Sequence, residues 1–307
     1  MRDFHKPGRS AVFAANGMCA TSHPIGAGVA IDILKQGGNA VDAAIAGAVV
    51  LGLCEPQMTG IGGDMFALIH PAPEADVVAI NASGRAPAAL TAADLRDQGQ
   101  QTIGLESVSS ITVPGAVDGF CQLSHDYGAL GLDAILAPAI HYANAGVPVA
   151  PRVAFDWAEA ADRLSGRARE LYLLNGQAPQ TAQIFRSPEQ AKALRAIADH
   201  GRDGFYDGPV AQDMITSLQA LGGVHTADDF AQTKATYHDP LSAQYKGTDL
   251  IEHPPNGQGA TALLMTNMMQ HFDWSAMDPF GADRAHIEAE IAKLAYDTRN
   301  RLLADAD

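Results

Sequence analysis

Ile33-Leu34-Lys35-Gln36-Gly37-Gly38-Asn39-Ala40-Val41-Asp42-Ala43-Ala44 reads as the end of one helix and the start of the next. Upstream, Val29, Ala30, Ile33 and Leu34 recur at one-turn spacing, and Gly37-Gly38 supplies a glycine stop. Asn39 then caps a second helix, with Asp42 in its first turn, where negative charge suits the helix dipole. Val41, Ala44, Ile45, Ala48 and Val49 mark one face of this second helix. Alanines and Gly47 supply most of the other face, so close packing on both sides is expected and the helix belongs at the centre of the fold. Residues 43–54 carry no charge, yet they fall short of the 18 or so residues a membrane span needs.

Working outward from this pair, Gly60-Ile61-Gly62-Gly63-Asp64 is a glycine-rich turn. Two short strands follow at 65–69 and 77–81, joined by Pro71-Ala72-Pro73-Glu74-Ala75-Asp76, as a hairpin or as neighbours. Helical spacing returns after Pro114-Gly115 with Val117, Phe120 and Cys121, and again at Leu132, Ile135, Leu136, Ala139, Ile140 and Ala143. Residues 150–220 read as helical with polar faces. Extended segments flank a proline within 237–246 and lead to Leu250-Ile251-Glu252. The loop Pro254-Pro255-Asn256-Gly257-Gln258-Gly259 precedes an apolar helix over 261–269. Ile287, Ile291, Leu294 and Thr298 keep a helical period to about Leu302, before Ala304-Asp305-Ala306-Asp307. Two aspartates there have the wrong sign for a helix C-terminus, which favours an interrupted reading frame or a chain cut from a longer precursor over a natural end.

At 307 residues the chain has room for one large domain or two moderate ones. Hydrophobic residues make up 47% and charged ones 18%, an ordinary balance for a globular protein. Twenty basic against 35 acidic residues leave a net charge of −15, which repels phosphate backbones and anionic lipid surfaces. No nucleic acid and no membrane are therefore expected as partners. Cys19, Cys54 and Cys121 are too few and too scattered for a disulfide framework or a zinc site. Residues 1–10 contain charge without an apolar stretch behind it, so no signal peptide is read and a cytoplasmic location is expected.

Familiar catalytic signatures are missing: there is no G-x-S-x-G, no H-E-x-x-H and no G-x-x-x-x-G-K-[ST]. Gly60-Ile61-Gly62-Gly63 opens a strand and carries no lysine, so it reads as a tight turn and not as a phosphate loop. The 11 histidines are scattered singly, without metal-ligand spacing. One segment stands apart, Asn81-Ala82-Ser83-Gly84-Arg85-Ala86-Pro87. Arg85 is the only Lys or Arg between Lys35 and Arg96, and it sits beside glycine at the end of a strand. That is how a chain builds a bidentate carboxylate clamp. The competing reading is an ion pair with a nearby carboxylate such as Asp64.

The order of several stretches carries a resemblance. Gly17-Met18-Cys19-Ala20-Thr21-Ser22-His23-Pro24, the Ile33–Ala44 stretch quoted above, Gly60-Ile61-Gly62-Gly63-Asp64-Met65-Phe66 and Val113-Pro114-Gly115-Ala116-Val117 come first. Gly201-Arg202-Asp203-Gly204-Phe205-Tyr206, Leu221-Gly222-Gly223 with Asp228-Asp229-Phe230, Pro254-Pro255-Asn256-Gly257-Gln258-Gly259 and Ala295-Tyr296-Asp297-Thr298-Arg299 follow. Together they resemble the large subunit of the gamma-glutamyltransferase family, from about residue 17 onward.

The resemblance implies an N-terminal nucleophile hydrolase: an α/β (α+β) four-layer αββα sandwich, incomplete without a small subunit cut from the same precursor. Residues 1–307 would be the large-subunit portion of that single domain. The nucleophile would be the small subunit's N-terminal threonine, with its own amine as base. It implies no catalytic residue in this chain, no cofactor and no metal, a small-molecule amide as substrate, and no activity from this chain alone. Glutathione-cleaving members carry a carboxylate-clamping arginine in a D-F-R-E-x-A-P pattern. Alignment on Ala86-Pro87 places Ser83 at that arginine and Arg85 two residues later, roughly 6–7 Å further along an extended chain. Asn81, Ser83 and Arg85 are thus the candidate substrate-binding residues. The N-A-S-G-R-A-P form is closer to the oxamate amidohydrolase and acylase-like branch. The alternatives are therefore an oxamate amidohydrolase or cephalosporin-acylase-like amidase, an inactive truncated scaffold, and more remotely a serine-type α/β hydrolase.

Overall fold

A computed structural model describes residues 10–304 of the chain. The chain separates into two compact units: one holds the chain up to Gly63 together with Gly84–Thr233, the other Asp64–Ser83 and the chain from Lys234 onward.

The first unit is built around the two helices that the opening motif joins, Pro24–Lys35 and Ala40–Cys54. The first ends because Gly37 adopts φ +95°, a conformation that glycine enters without penalty. The Gly38 amide then reaches back to Ile33 O at 3.1 Å and the Gly37 amide to Leu34 O at 3.2 Å, the double bond of a Schellman stop. Asn39 opens the next helix with a capping box. Its Oδ1 accepts from the amides of Val41 (2.9 Å) and Asp42 (3.1 Å), while Asp42 Oδ2 accepts from the Asn39 amide at 2.9 Å.

Asp42 is fully buried and does more than cap. Its carboxylate also accepts from the Ala129 amide at 3.0 Å and the Leu130 amide at 3.3 Å, and Asn39 Nδ2 donates to Tyr127 O at 2.6 Å. A buried carboxylate is tolerated here because backbone N–H groups replace its water shell. The Ala40–Cys54 helix packs against Pro24–Lys35, Ala116–Tyr127 and Leu132–Ala145, the central place expected of it. Burial spreads round the helix, as packing on both sides requires, although it does not follow the marked face throughout. Ala44 is exposed and Val41 and Ala48 are half-buried, whereas Ala43, Ala46, Val50 and Leu53 join Ile45 and Val49 inside. Small residues all round the helix leave no apolar contrast to read, so its neighbours decide the orientation.

Beyond these, Leu132–Ala145 packs on Pro188–His200, which buries Ala191, Leu194 and Ile197. A satellite core gathers Cys54, Val147, Val149, Val153, Trp157 and Phe185, with the Trp157 and Phe185 rings edge to face at 4.8 Å. A two-stranded ribbon, Val147–Pro148 with Ile184–Phe185, borders it. The helical reading of 150–220 is met by helices at Pro151–Ala160, Gly166–Tyr172, Pro188–His200, Asp203–Tyr206 and Gly208–Ala220.

The second unit holds the remaining strands. Met65–Ile69, Val78–Ala82 and Thr236–His238 form an antiparallel sheet with Val78–Ala82 in the middle, so the expected hairpin pairing is present. Leu241–Tyr245 and Thr248–Glu252 form a separate hairpin. Its two-residue turn places Lys246 at φ 50° and Gly247 at φ 81°, the positive values that match the twist of paired strands. Helices Gly259–Met269 and Ala282–Leu302 complete the unit. The last of these ends with Arg299 and Arg301 in its final turn, a favourable sign, while Asp305 and Asp307 lie outside the described residues. No helix among the described residues is long and apolar enough to cross a membrane.

Candidate substrate-binding site

Val78–Ala82 carries the candidate segment out of the sheet. Ala79, Ile80 and Ala82 are buried, and Asn81 lies opposite Phe66 on one side and Thr236 on the other. Strand geometry stops at Ala82. Ser83, Gly84 and Arg85 follow the paired strand in the segment that leaves the sheet.

Asn81 and Ser83 come together, and a third residue joins them. The Ser83 amide donates to Asn81 Oδ1 at 2.9 Å, and Asn81 Nδ2 donates to Asn256 Oδ1 at 3.0 Å. Asn256 Nδ2 in turn donates to Ser83 Oγ at 3.0 Å, with Ser83 Oγ also 3.2 Å from Asn256 Oδ1. Asn256 sits in the loop between strand Thr248–Glu252 and helix Gly259–Met269. Buried His253 holds that loop to the strand: its Nε2 lies 2.9 Å from Ile80 O, and its ring meets Phe66 edge on at 5.0 Å. Nothing local in the Pro254–Gly259 loop singles out Asn256. Its 173-residue separation from Ser83 hides the pairing, and the only signal was an asparagine between Pro255 and Gly257.

Arg85 belongs to the first unit and is exposed. Its backbone is fixed by close approach. A Cβ on Gly84 would lie 1.6 Å from Val113 O, so only glycine fits, and the Val113 amide donates to Arg85 O at 2.9 Å. The Val113-Pro114-Gly115 turn is itself braced. Tyr206 Oη donates to Pro114 O at 2.7 Å and accepts from the Asp118 amide at 3.1 Å. Asp118 pairs with Arg202 at 2.6 Å, and Arg202 Nη2 reaches the carbonyls of Phe230, Ala231 and Thr233 while its guanidinium lies 4.6 Å over the Tyr206 ring. Further along, the Ala88 amide donates to Asp229 Oδ1 at 2.8 Å. Burial opposes the Asp229 charge, but hydrogen bonds from Ala88 and Thr226 outweigh it and hold the carboxyl below its usual range.

Cys54 and Cys121 are poor nucleophiles. Burial pushes the thiols of Cys54 and Cys121 up to about 12, with Glu55 and Asp118 adding to the effect, so both stay protonated near neutrality.

Residues 26–307 match the family model described as Gamma-glutamyltranspeptidase. This chain belongs to that family. Like other chains of the gamma-glutamyltranspeptidase family, it is similar to the Glutathione hydrolase-like YwrD proenzyme of Bacillus subtilis (strain 168), 33% identical over 299 residues, covering 96% of this chain and 56% of that protein. Among solved structures, the cephalosporin acylase from Bacillus halodurans superposes with a TM-score of 0.89 at 37% identity, covering 99% of this chain and 58% of the acylase chain. The gamma-glutamyltranspeptidase of Helicobacter pylori gives a TM-score of 0.90 at 28% identity, covering 97% of this chain and 87% of that one. The α/β fold expected from the resemblance is thus the fold of the gamma-glutamyltranspeptidase and acylase structures. The chain spans about half the length of the curated relatives it matches, 56% and 51% for the first two.

Proposed function

We propose that this chain is the large-subunit portion of a self-processing amide hydrolase or acyltransferase of the gamma-glutamyltranspeptidase family. Its substrates are gamma-glutamyl or other small carboxylate-bearing amides. The nucleophile is a threonine outside this chain, at the start of a small subunit cut from the same precursor, and the two subunits share one domain. The observation that carries this reading is the family match over residues 26–307. The proenzyme names of the relatives agree with a precursor that is processed. No cofactor is required, because a threonine with a free amine supplies both nucleophile and base.

Within this reading Arg85 clamps the substrate carboxylate, and Asn81 and Ser83 are further substrate-binding residues. A second reading, an amidase of the oxamate or cephalosporin-acylase kind, is favoured by one observation: Ser83 stands where the glutathione-cleaving pattern has its arginine. The 37% identity to the Bacillus halodurans acylase leans the same way.

One measurement tests the assignment of the nucleophile and a second separates the two readings. The purified 307-residue chain without a second polypeptide is expected to show no amidase turnover, and any turnover would refute the assignment of the nucleophile. The complete processed protein is then assayed with gamma-glutamyl anilide and with oxamate. Faster gamma-glutamyl turnover supports the first reading, and preference for oxamate supports the second. In the same protein Arg85→Ala is expected to raise KM for the carboxylate-bearing substrate by about tenfold or more, the worth of a charged hydrogen bond. An unchanged KM removes Arg85 from the clamp.

A further inference from the structure

We infer that Asn256 is a positioning residue that sets Ser83 as a hydrogen-bond donor toward a substrate oxygen acceptor, a carboxylate or carbonyl oxygen. The inference rests on the reading of Asn81 and Ser83 as substrate-binding residues.

The direction of the hydrogen bonds follows from groups that have no choice. A backbone N–H only donates, so the Asn81 atom 2.9 Å from the Ser83 amide is its oxygen. The other end of the Asn81 amide is then its NH2, which also only donates. It faces Asn256 at 3.0 Å and fixes the atom there as Oδ1. The remaining end of Asn256 is an NH2 group, and it lies 3.0 Å from Ser83 Oγ. Ser83 Oγ therefore receives a hydrogen bond from a donor that cannot reverse. Its own proton goes to Asn256 Oδ1 at 3.2 Å, an oxygen that also accepts from Asn81. That distance exceeds the roughly 2.7–2.8 Å preferred for O–H···O.

An incoming oxygen at the preferred distance competes well for the hydroxyl proton. The chain of polarity thus starts at a backbone amide, turns at Asn81 and Asn256, and ends on a hydroxyl whose donor is available. Ser83 is half-buried and Asn256 exposed, so a ligand can reach the relay. Asn256 does not need to touch the substrate to act; removing it lets the Ser83 hydroxyl rotate freely.

The test uses the complete processed enzyme and whichever of gamma-glutamyl anilide and oxamate it turns over faster. Asn256→Ala is expected to raise KM about tenfold and to change kcat by less than about threefold, with the melting temperature of the assembled enzyme little changed. Ser83→Ala should raise KM by a similar factor. In the Ser83→Ala background, Asn256→Ala should add nothing further, since the hydroxyl it orients is gone. If the alanine variant fails to fold, Asn256→Ser takes its place in the same cycle. Independent, additive effects of the two substitutions on KM overturn the inference, as does a fall in kcat at unchanged KM. A raised KM in Ser83→Ala with none in Asn256→Ala sinks the inference alone. No change in Ser83→Ala and Arg85→Ala alike sinks the underlying reading of the segment, and the inference with it.

Discussion

Gly84 has no room for even a methyl group, and the backbone around it explains why. The carbonyl of Val113 occupies the place a Cβ would take, 1.6 Å from its ideal position, and no rotation of a side chain relieves that conflict. Gly84→Ala must push the 83–85 backbone off the Val113-Pro114-Gly115 turn. It is expected to cost on the order of 3 kcal/mol or more, read as a lower denaturation midpoint, and to break the Val113–Arg85 backbone bond. A midpoint within about 0.5 kcal/mol of the parent protein would contradict this close approach. At this scale the sequence was only partly legible. Asn81, Ser83 and Arg85 stand out because they share one short polar segment. Asn256 does not, since nothing local distinguishes it from any other asparagine in a proline-glycine turn.

Helices were far easier to read than faces. Gly37-Gly38 and Asn39 are stop and start signals whose physics is local, so Pro24–Lys35 and Ala40–Cys54 fall where the residues say. The burial of Ala40–Cys54 is not local, and alanine on every side leaves no single face to read. The Pro24–Lys35 helix carries a further element-level consequence at its start. His23 caps it, with Nδ1 accepting from the Ile25 amide at 3.2 Å, and the residue is 4% exposed. Burial lowers its pKa below the ordinary value near 6.5, although Glu55 pulls the other way. The unfolded chain therefore binds this proton more readily than the native one. Stability from this group is complete above about pH 6.5 and declines as pH falls below it, until the native imidazole is protonated too. Urea midpoints at pH 7.5 and pH 5 are expected to differ more in the parent protein than in His23→Asn, which keeps a capping oxygen but does not titrate. Equal pH dependence in both would show that His23 is not the group responsible.

At the scale of the molecule, a chain rich in helix keeps only three small sheets among its described residues, of three, two and two strands. Met65–Ile69 is an edge strand and leaves Phe66 and Leu68 exposed at 40% and 42%. Unpaired backbone beside exposed apolar side chains is a template for association. The net charge of −15 works against it by mutual repulsion. The isolated chain is therefore expected to stay monomeric at low salt and to self-associate near 1 M salt, where screening shrinks to about 3 Å. Leu68→Lys should shift that onset to several-fold higher protein concentration. Sedimentation velocity checks both, and association indifferent to salt would argue against a charge-guarded edge.

The carboxylate of Asp42 points to a different kind of consequence. Its two oxygens are committed to the amides of Asn39, Ala129 and Leu130, so it has nothing left to offer a ligand. The stretch by which this chain is most easily recognised is therefore a joint, fastening one crossing of the chain to another. It says how the scaffold is assembled and is silent about chemistry. A descendant that had lost every reactive group would still need it unchanged.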